Sequence, residues 1–263
     1  MTARHAKTDS SWLDIGYGDS YFDRTHRPLQ CLLVILPLLA IYQIGSMLHP
    51  WTPGHGDTPN VIAFAKMLEL AQRLFGHIGL YMPLALVVAC LLGSHFFRKD
   101  KWTLEPKLWL AMYAESTLWA IPILIFGLLA SSGAPLASLQ SRAVTMSSFP
   151  WQTQVVLAVG AGVYEELVFR LILIAVLDFF LLDLLGWSKA VAIPVIILTS
   201  AVLFSLYHYL GAEQPSWGTF IFRTLAGVYL AAIYIFRGFG IDVCTHTAYD
   251  LMAVGLGFLS GHH

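Results

Sequence analysis

The sequence is poor in charge. Only 12% of its 263 residues are Asp, Glu, Lys or Arg, against 57% hydrophobic, and mean hydropathy is +0.68. A soluble domain carries about 25% charged residues, so a water-soluble globular fold is excluded for most of the chain. The formal net charge of −1 offers no basic surface, and no nucleic-acid partner is expected. Cysteine is scarce too: Cys31, Cys90 and Cys244 lie within or at the edge of apolar runs. An odd count there argues against a disulfide framework and for small core residues. The chain contains neither H-E-x-x-H nor G-x-S-x-G, so the usual zinc and serine hydrolase signatures are missing.

What the chain has is apolar length. Runs lie near 31–49, 76–97, 108–130, 152–184, 190–210, 217–236 and 241–260. A crossing of about 30 Å of hydrocarbon takes about 20 helical residues, so the expected fold is all-α, a polytopic transmembrane helical bundle of seven or eight spans. The run 152–184 amounts to about 50 Å of helix, too much for one upright crossing. It must tilt strongly, leave the membrane or break in two; Asp178 and Asp183 in its last third suit an interfacial or reversing piece. Trp51, Trp102, Trp109, Trp151, Trp187 and Trp217 stand close to span ends, as an interfacial aromatic belt requires. The stretch 59–75, with Lys66, Glu69 and Arg73, reads as a surface helix. Residues 1–30 mix both signs of charge without an apolar core and are expected to be a soluble N-terminal segment, not a cleavable signal. Residues 31–263 then form a single membrane-embedded domain. Basic residues concentrate in 1–30 and in the 98–107 loop, whereas the opposite side holds only Lys66, Arg73 and Arg142. The positive-inside rule therefore puts the N-terminus in the cytoplasm, in the plasma (inner) membrane.

Ionisable groups inside apolar runs carry the functional signal, because each costs several kcal/mol in hydrocarbon unless it meets a partner or cavity. The densest case is Tyr164-Glu165-Glu166-Leu167-Val168-Phe169-Arg170. Glu166 and Arg170, four apart, share a helix face and can pair. Glu165 points about 100° away and stays available. The bland alternative is a structural ion pair with a spare carboxylate. Phe204 and His208 repeat the spacing of four, as do His246 and Asp250. Alone, His208 reads as a satisfied core histidine, and His246 with Asp250 as a hydrogen bond locking two helices. Three such features in order after residue 160 point instead to one site. Glu115 is expected to be hydrogen-bonded within the bundle, Arg223 to snorkel to the interface, and His95, His262 and His263 to be interfacial.

E-E-x-x-x-R at 165–170, F-x-x-x-H at 204–208 and H-x-x-x-D at 246–250 resemble the three signature motifs of the CAAX protease and bacteriocin-processing (Abi) family, across roughly residues 150–260. That resemblance implies a glutamic-type intramembrane endopeptidase without cofactor or metal, acting on a membrane-associated peptide or protein. Glu165 and His208 would activate water, His246 and Asp250 would form the oxyanion site, Glu166 and Arg170 would be a supporting pair, and Phe204 would pack beside His208. The family's third motif usually ends in Asn. An ionised Asp250 cannot donate to an oxyanion, so here it must be protonated or orient His246. The motifs do not name a substrate.

Convergence has a condition. His208 ends its run and His246 begins one two segments on, so plain up-and-down threading would set them on opposite membrane faces. The connector Arg237-Gly238-Phe239-Gly240 must be sunk into the bundle, or 217–236 strongly tilted or broken. Other readings stay open. Glu165, Glu166, His208, His246 and Asp250 are all possible zinc ligands of a zinc-dependent membrane protease, although no close His pair is present. An ion-coupled carrier could use the same groups as a relay, but there is no internal repeat. A catalytically silent binding or immunity protein could share the scaffold. Gly16-Tyr17-Gly18-Asp19 and Tyr249-Asp250 spell the G-x-G-D and Y-D of presenilin-type aspartyl proteases, but in reversed order and with Asp19 in polar sequence.

Overall fold

Hydrocarbon offers the peptide backbone no partners, so long apolar sequence in lipid must satisfy its own N–H and C=O groups, and helix is the solution within one segment. The computed structural model describes residues 20–48, 63–132, 149–211 and 214–259, and among these every regular element is helical. The elements are α1 (Tyr21–Thr25), α2 (Pro28–Leu48), α3 (Ala63–Phe75), α4 (Met82–Arg98), α5 (Pro106–Ser132), α6 (151–184), α7 (Lys189–Tyr207), α8 (Trp217–Arg237) and α9 (Phe239–Leu259). Trp51, Arg142, His262, His263 and residues 1–19 lie outside the described residues.

Each apolar run of the sequence corresponds to one helix. Four have the length and hydropathy of a membrane span: Pro28–Leu48, Pro106–Leu129, Lys189–Leu210 and Trp217–Arg237. Met82–Arg98 is apolar but only 17 residues long. The long run stays one helical path: Trp151–Glu166 is α-helical, Leu167–Ile172 a π turn, Leu173–Asp178 α-helical and Phe179–Leu184 a second π turn. Its junction residues keep right-handed helical backbone, so the run is one continuous helical path. Asp178 is buried and Asp183 exposed.

α3 is a short amphipathic helix, as its spacing suggests. Phe64 and Leu68 are buried, with Phe64 stacked on Tyr164. Lys66 (3.3 Å) and Arg73 (2.6 Å) both bond Glu69 and hold its carboxyl below the ordinary range. Cys31 and Cys244 are buried, and all three cysteines are free thiols.

α9 packs along α5 and α6, α7 along α8, and α2 along α6. Two local features set this up. Ser216 caps α8 by accepting from the Thr219 N–H, and Gly238 ends the helix at φ 89°, where a side chain would be strained. The connector is sunk as convergence requires: Arg237, Gly238, Phe239 and Gly240 are all buried. Arg237 Nε meets Glu115 Oε1 at 2.5 Å, the Tyr21 hydroxyl donates to Glu115 at 2.6 Å, and the Phe22 ring lies 4.0 Å from the Arg237 guanidinium. Glu115 is thus hydrogen-bonded within the bundle, and α1 seals the turn between α8 and α9. Arg223 is a correction: it does not snorkel outward but is 3% exposed, with its guanidinium 5.9 Å from the Tyr209 ring. A neighbouring aromatic face offers a cation a berth that the sequence spacing did not disclose. His95 is likewise buried, edge-on to Trp102 at 4.4 Å.

Candidate active site

The two glutamates sit in the last turn of the α-helical part of α6, and the π turn begins immediately after Glu166. Such widenings are frequent at functional sites because they re-aim side chains. This one is held from α7, where the Ser200 hydroxyl donates to the Phe169 carbonyl at 2.8 Å. Arg170, fully buried, reaches Glu166 Oε2 at 3.0 Å, donates to the Gly227 carbonyl of α8 at 3.3 Å and lies 4.5 Å over the Phe204 ring. The pairing of Glu166 with Arg170 is therefore present, with both partners out of water.

α9 closes on α6 through a small residue. A Cβ at Gly162 would run into the Thr247 hydroxyl and backbone. That approach lets the residue beside Thr247, His246, reach both glutamates. Its Nδ1 is 2.6 Å from Glu166 Oε1, and its Nε2 faces Glu165 Oε2 at 3.9 Å and Asp250 Oδ2 at 3.7 Å. Seven residues past Phe239 bring His246 about 10 Å along α9 from the buried connector. His208, in the turn that ends α7, comes to the same carboxylate from the other side, Nε2 to Glu165 Oε2 at 3.7 Å. The two histidines thus meet, with Glu165 between them.

The tautomer of His208 follows from its other nitrogen. Nδ1 is 2.8 Å from the Phe204 carbonyl, which can only accept, so Nδ1 carries the hydrogen. In the neutral ring the Nε2 lone pair then faces Glu165. Phe204 packs against both imidazoles, its centroid 4.8 Å from His208 and 5.9 Å from His246. All seven residues singled out in the sequence are thus gathered where α6, α7 and α9 meet. Glu165, His208, His246 and Asp250 are 1%, 8%, 4% and 6% exposed. Among the described residues, no three His, Cys, Asp or Glu side chains are arranged to hold a metal ion.

One member of the cluster is not marked by any of the sequence motifs. Asp242, 0% exposed, lies one turn before His246 on the same face of α9. An acid four residues before His246 in an apolar run is the signal that could have found it.

The arrangement places one carboxylate between two imidazoles inside an apolar bundle, with Glu166 and Arg170 behind His246 and Asp250 beside its Nε2. No curated protein and no solved structure gave a match to the chain. Residues 147–252 do match a family model, described as type II CAAX prenyl endopeptidase Rce1-like. That family is one of peptide hydrolases acting as CAAX proteases, and the apolar helices fit an integral membrane protein. The resemblance carried by the three motifs is borne out: the segment that holds all of them is the one that the family model matches.

Proposed function

We propose that the chain is a glutamic-type intramembrane endopeptidase in which Glu165 and His208 activate water and His246 with Asp250 receives the oxyanion. The observation that carries this reading is Glu165 Oε2 standing 3.7 Å from His208 Nε2 and 3.9 Å from His246 Nε2, all three buried. Those separations exceed a direct hydrogen bond and suit a bridge through one water. The Glu165 carboxylate and the His208 Nε2 lone pair are both acceptors. A water that gives one hydrogen to each presents its oxygen lone pair to the scissile carbonyl. Glu165 takes the proton as the bond forms and passes it to the leaving amine as the tetrahedral intermediate collapses.

His246 supplies the electrophilic side. Glu166 accepts from His246 Nδ1–H, and in the imidazolium form the ring presents Nε2–H to the developing oxyanion. Donors of this kind, fixed before reaction in a dry site, commonly contribute more to acyl transfer than any other single effect. Asp250 either donates beside Nε2 or orients the ring. Phe204 packs against both imidazoles, and Arg170 lies over the Phe204 ring. The substrate is a membrane-associated peptide or protein.

The seven helices α2 and α4 to α9 correspond to the seven apolar runs, and we read each as a crossing, with the N-terminus cytoplasmic in the plasma (inner) membrane. The test is cleavage of a membrane-anchored peptide by purified protein in lipid vesicles. Wild type should cleave and folded Glu165→Gln should not; cleavage by Glu165→Gln at the wild-type rate would refute the assignment.

A further inference from the structure

We infer that Arg237 and Glu115, closed over by Tyr21 of α1, are positioning residues that fix the start of α9 and thereby the place of His246. Arg237 ends α8 and is 4% exposed. Its Nε reaches Glu115 Oε1 at 2.5 Å and its Nη2 reaches Oε2 at 2.8 Å, so the guanidinium grips both oxygens of one carboxylate. The same oxygens accept from the Trp119 indole at 2.9 Å and from the Tyr21 hydroxyl at 2.6 Å. The rings of Phe22 and Tyr21 lie 4.0 and 5.3 Å from the guanidinium carbon, and the Arg237 carbonyl lies 3.3 Å from the Thr25 hydroxyl. A planar fork on a carboxylate fixes angle as well as distance, which a lysine ammonium cannot do.

This clamp sits where α8 turns into α9. A Cβ at Gly238 would press on His26 and the Thr25 carbonyl, and one at Gly240 would meet Val34, Met112 and the Cys31 backbone. One residue on from Glu115, the Ser116 hydroxyl donates to the Ile241 carbonyl at 3.2 Å. The first turn of α9 is therefore registered against α1, α2 and α5 at once.

A helix carries the register of its first turn along its length. A slip of one residue would move the His246 ring by about 1.5 Å along the axis and turn it by about 100°. With Nδ1 2.6 Å from Glu166 and Nε2 3.9 Å from Glu165, the ring tolerates neither. Apolar burial alone does not choose among such registers, because it is non-directional; the bidentate pair supplies the direction. Arg237, Glu115 and Tyr21 touch no reacting atom and act through His246. Their effect on rate rests on the endopeptidase reading, and their effect on the place of His246 does not.

Two variants and two readouts test this. Arg237→Lys keeps the charge and removes the fork. In vesicles it should lower kcat by about 10- to 100-fold, as a displacement of about 1 Å arising far from the chemistry can, with KM within about twofold. Tyr21→Phe, which keeps the ring and removes one donor, should lower kcat by about 3- to 10-fold. Magnetic resonance of protein carrying nitrogen-labelled histidine gives the second readout. The His246 ring signals, assigned by their loss in His246→Gln, should shift in both variants. A clamp that only stabilises would lower the melting temperature and leave kcat and those signals alone. Wild-type kcat or unmoved His246 signals in folded Arg237→Lys would overturn the proposal. If Arg237→Lys does not fold, the same readouts on Tyr21→Phe decide. If wild type itself cleaves no peptide, the endopeptidase reading fails while the His246 signals still judge the clamp.

Discussion

Glu166 Oε1 lies 2.6 Å from Nδ1 of His246, so the second carboxylate of the first motif holds the histidine of the third. Sequence spacing assigns Glu166 to Arg170 alone. The structure gives it both tasks, one carboxylate oxygen for each, and this changes what its removal should do.

Glu165→Gln keeps the shape and removes the base, so cleavage should vanish while thermal stability stays near wild type. Glu166→Gln leaves Arg170 buried without its counter-charge, a loss of about 3–5 kcal/mol, and also slackens His246. It should therefore unfold at clearly lower temperature and cleave poorly below that temperature. Thermal unfolding in detergent beside a cleavage assay separates the two. A fully stable, inactive Glu166→Gln together with an active Glu165→Gln would reverse the roles.

Glu165, Glu166, His208, His246 and Asp250 are all potential zinc ligands by residue type. Prolonged chelation should nevertheless leave cleavage unchanged, and elemental analysis should find no stoichiometric transition metal. One zinc per chain, lost together with activity and restored by adding zinc, would establish the metalloprotease reading instead.

Asp250 marks the departure from the resembling family. Its Oδ2 stands 3.7 Å from His246 Nε2, on the side where an oxyanion would be received. If Asp250 donates there, it does so as the neutral acid. Asp250→Asn then keeps a donor of nearly the same shape and retains activity. If Asp250 is ionised and orients His246, the Asn variant loses activity by orders of magnitude, as happens when an orienting carboxylate is removed from a serine protease triad. We expect the first outcome. Cleavage rates of wild type and Asp250→Asn, beside thermal unfolding of both, measure it, and a folded, inactive Asn variant would refute the donor role.

Gly162 tests the closure of α9 on α6. Gly162→Val puts a branched side chain against Thr247, and overpacking of this kind costs about 1–3 kcal/mol. The melting temperature should fall, and kcat should fall with it because His246 is displaced from Glu165 and Glu166. Gly162→Val with wild-type melting and kcat would show that the close approach is dispensable.

Helical class and the seven apolar stretches were legible in the sequence, because hydrocarbon leaves a long apolar segment no other way to satisfy its backbone. The pairing of Glu166 with Arg170 was legible for a similarly local reason: residues four apart share a helix face. The motif residues announced themselves as ionisable groups in apolar surroundings. None of this says where one helix lies against another. That Glu165 stands between His208 and His246 depends on a buried connector at Arg237 to Gly240, on Gly162 admitting Thr247, and on a π turn after Glu166. Such contacts join residues far apart in the chain, and no periodicity encodes them. The burial of Arg223 beside Tyr209 is of the same kind. A single helix shows which face a side chain occupies; only the packed bundle supplies the group on the other side, and that group decides whether a buried charge is a surface anchor, a structural pair or part of a site.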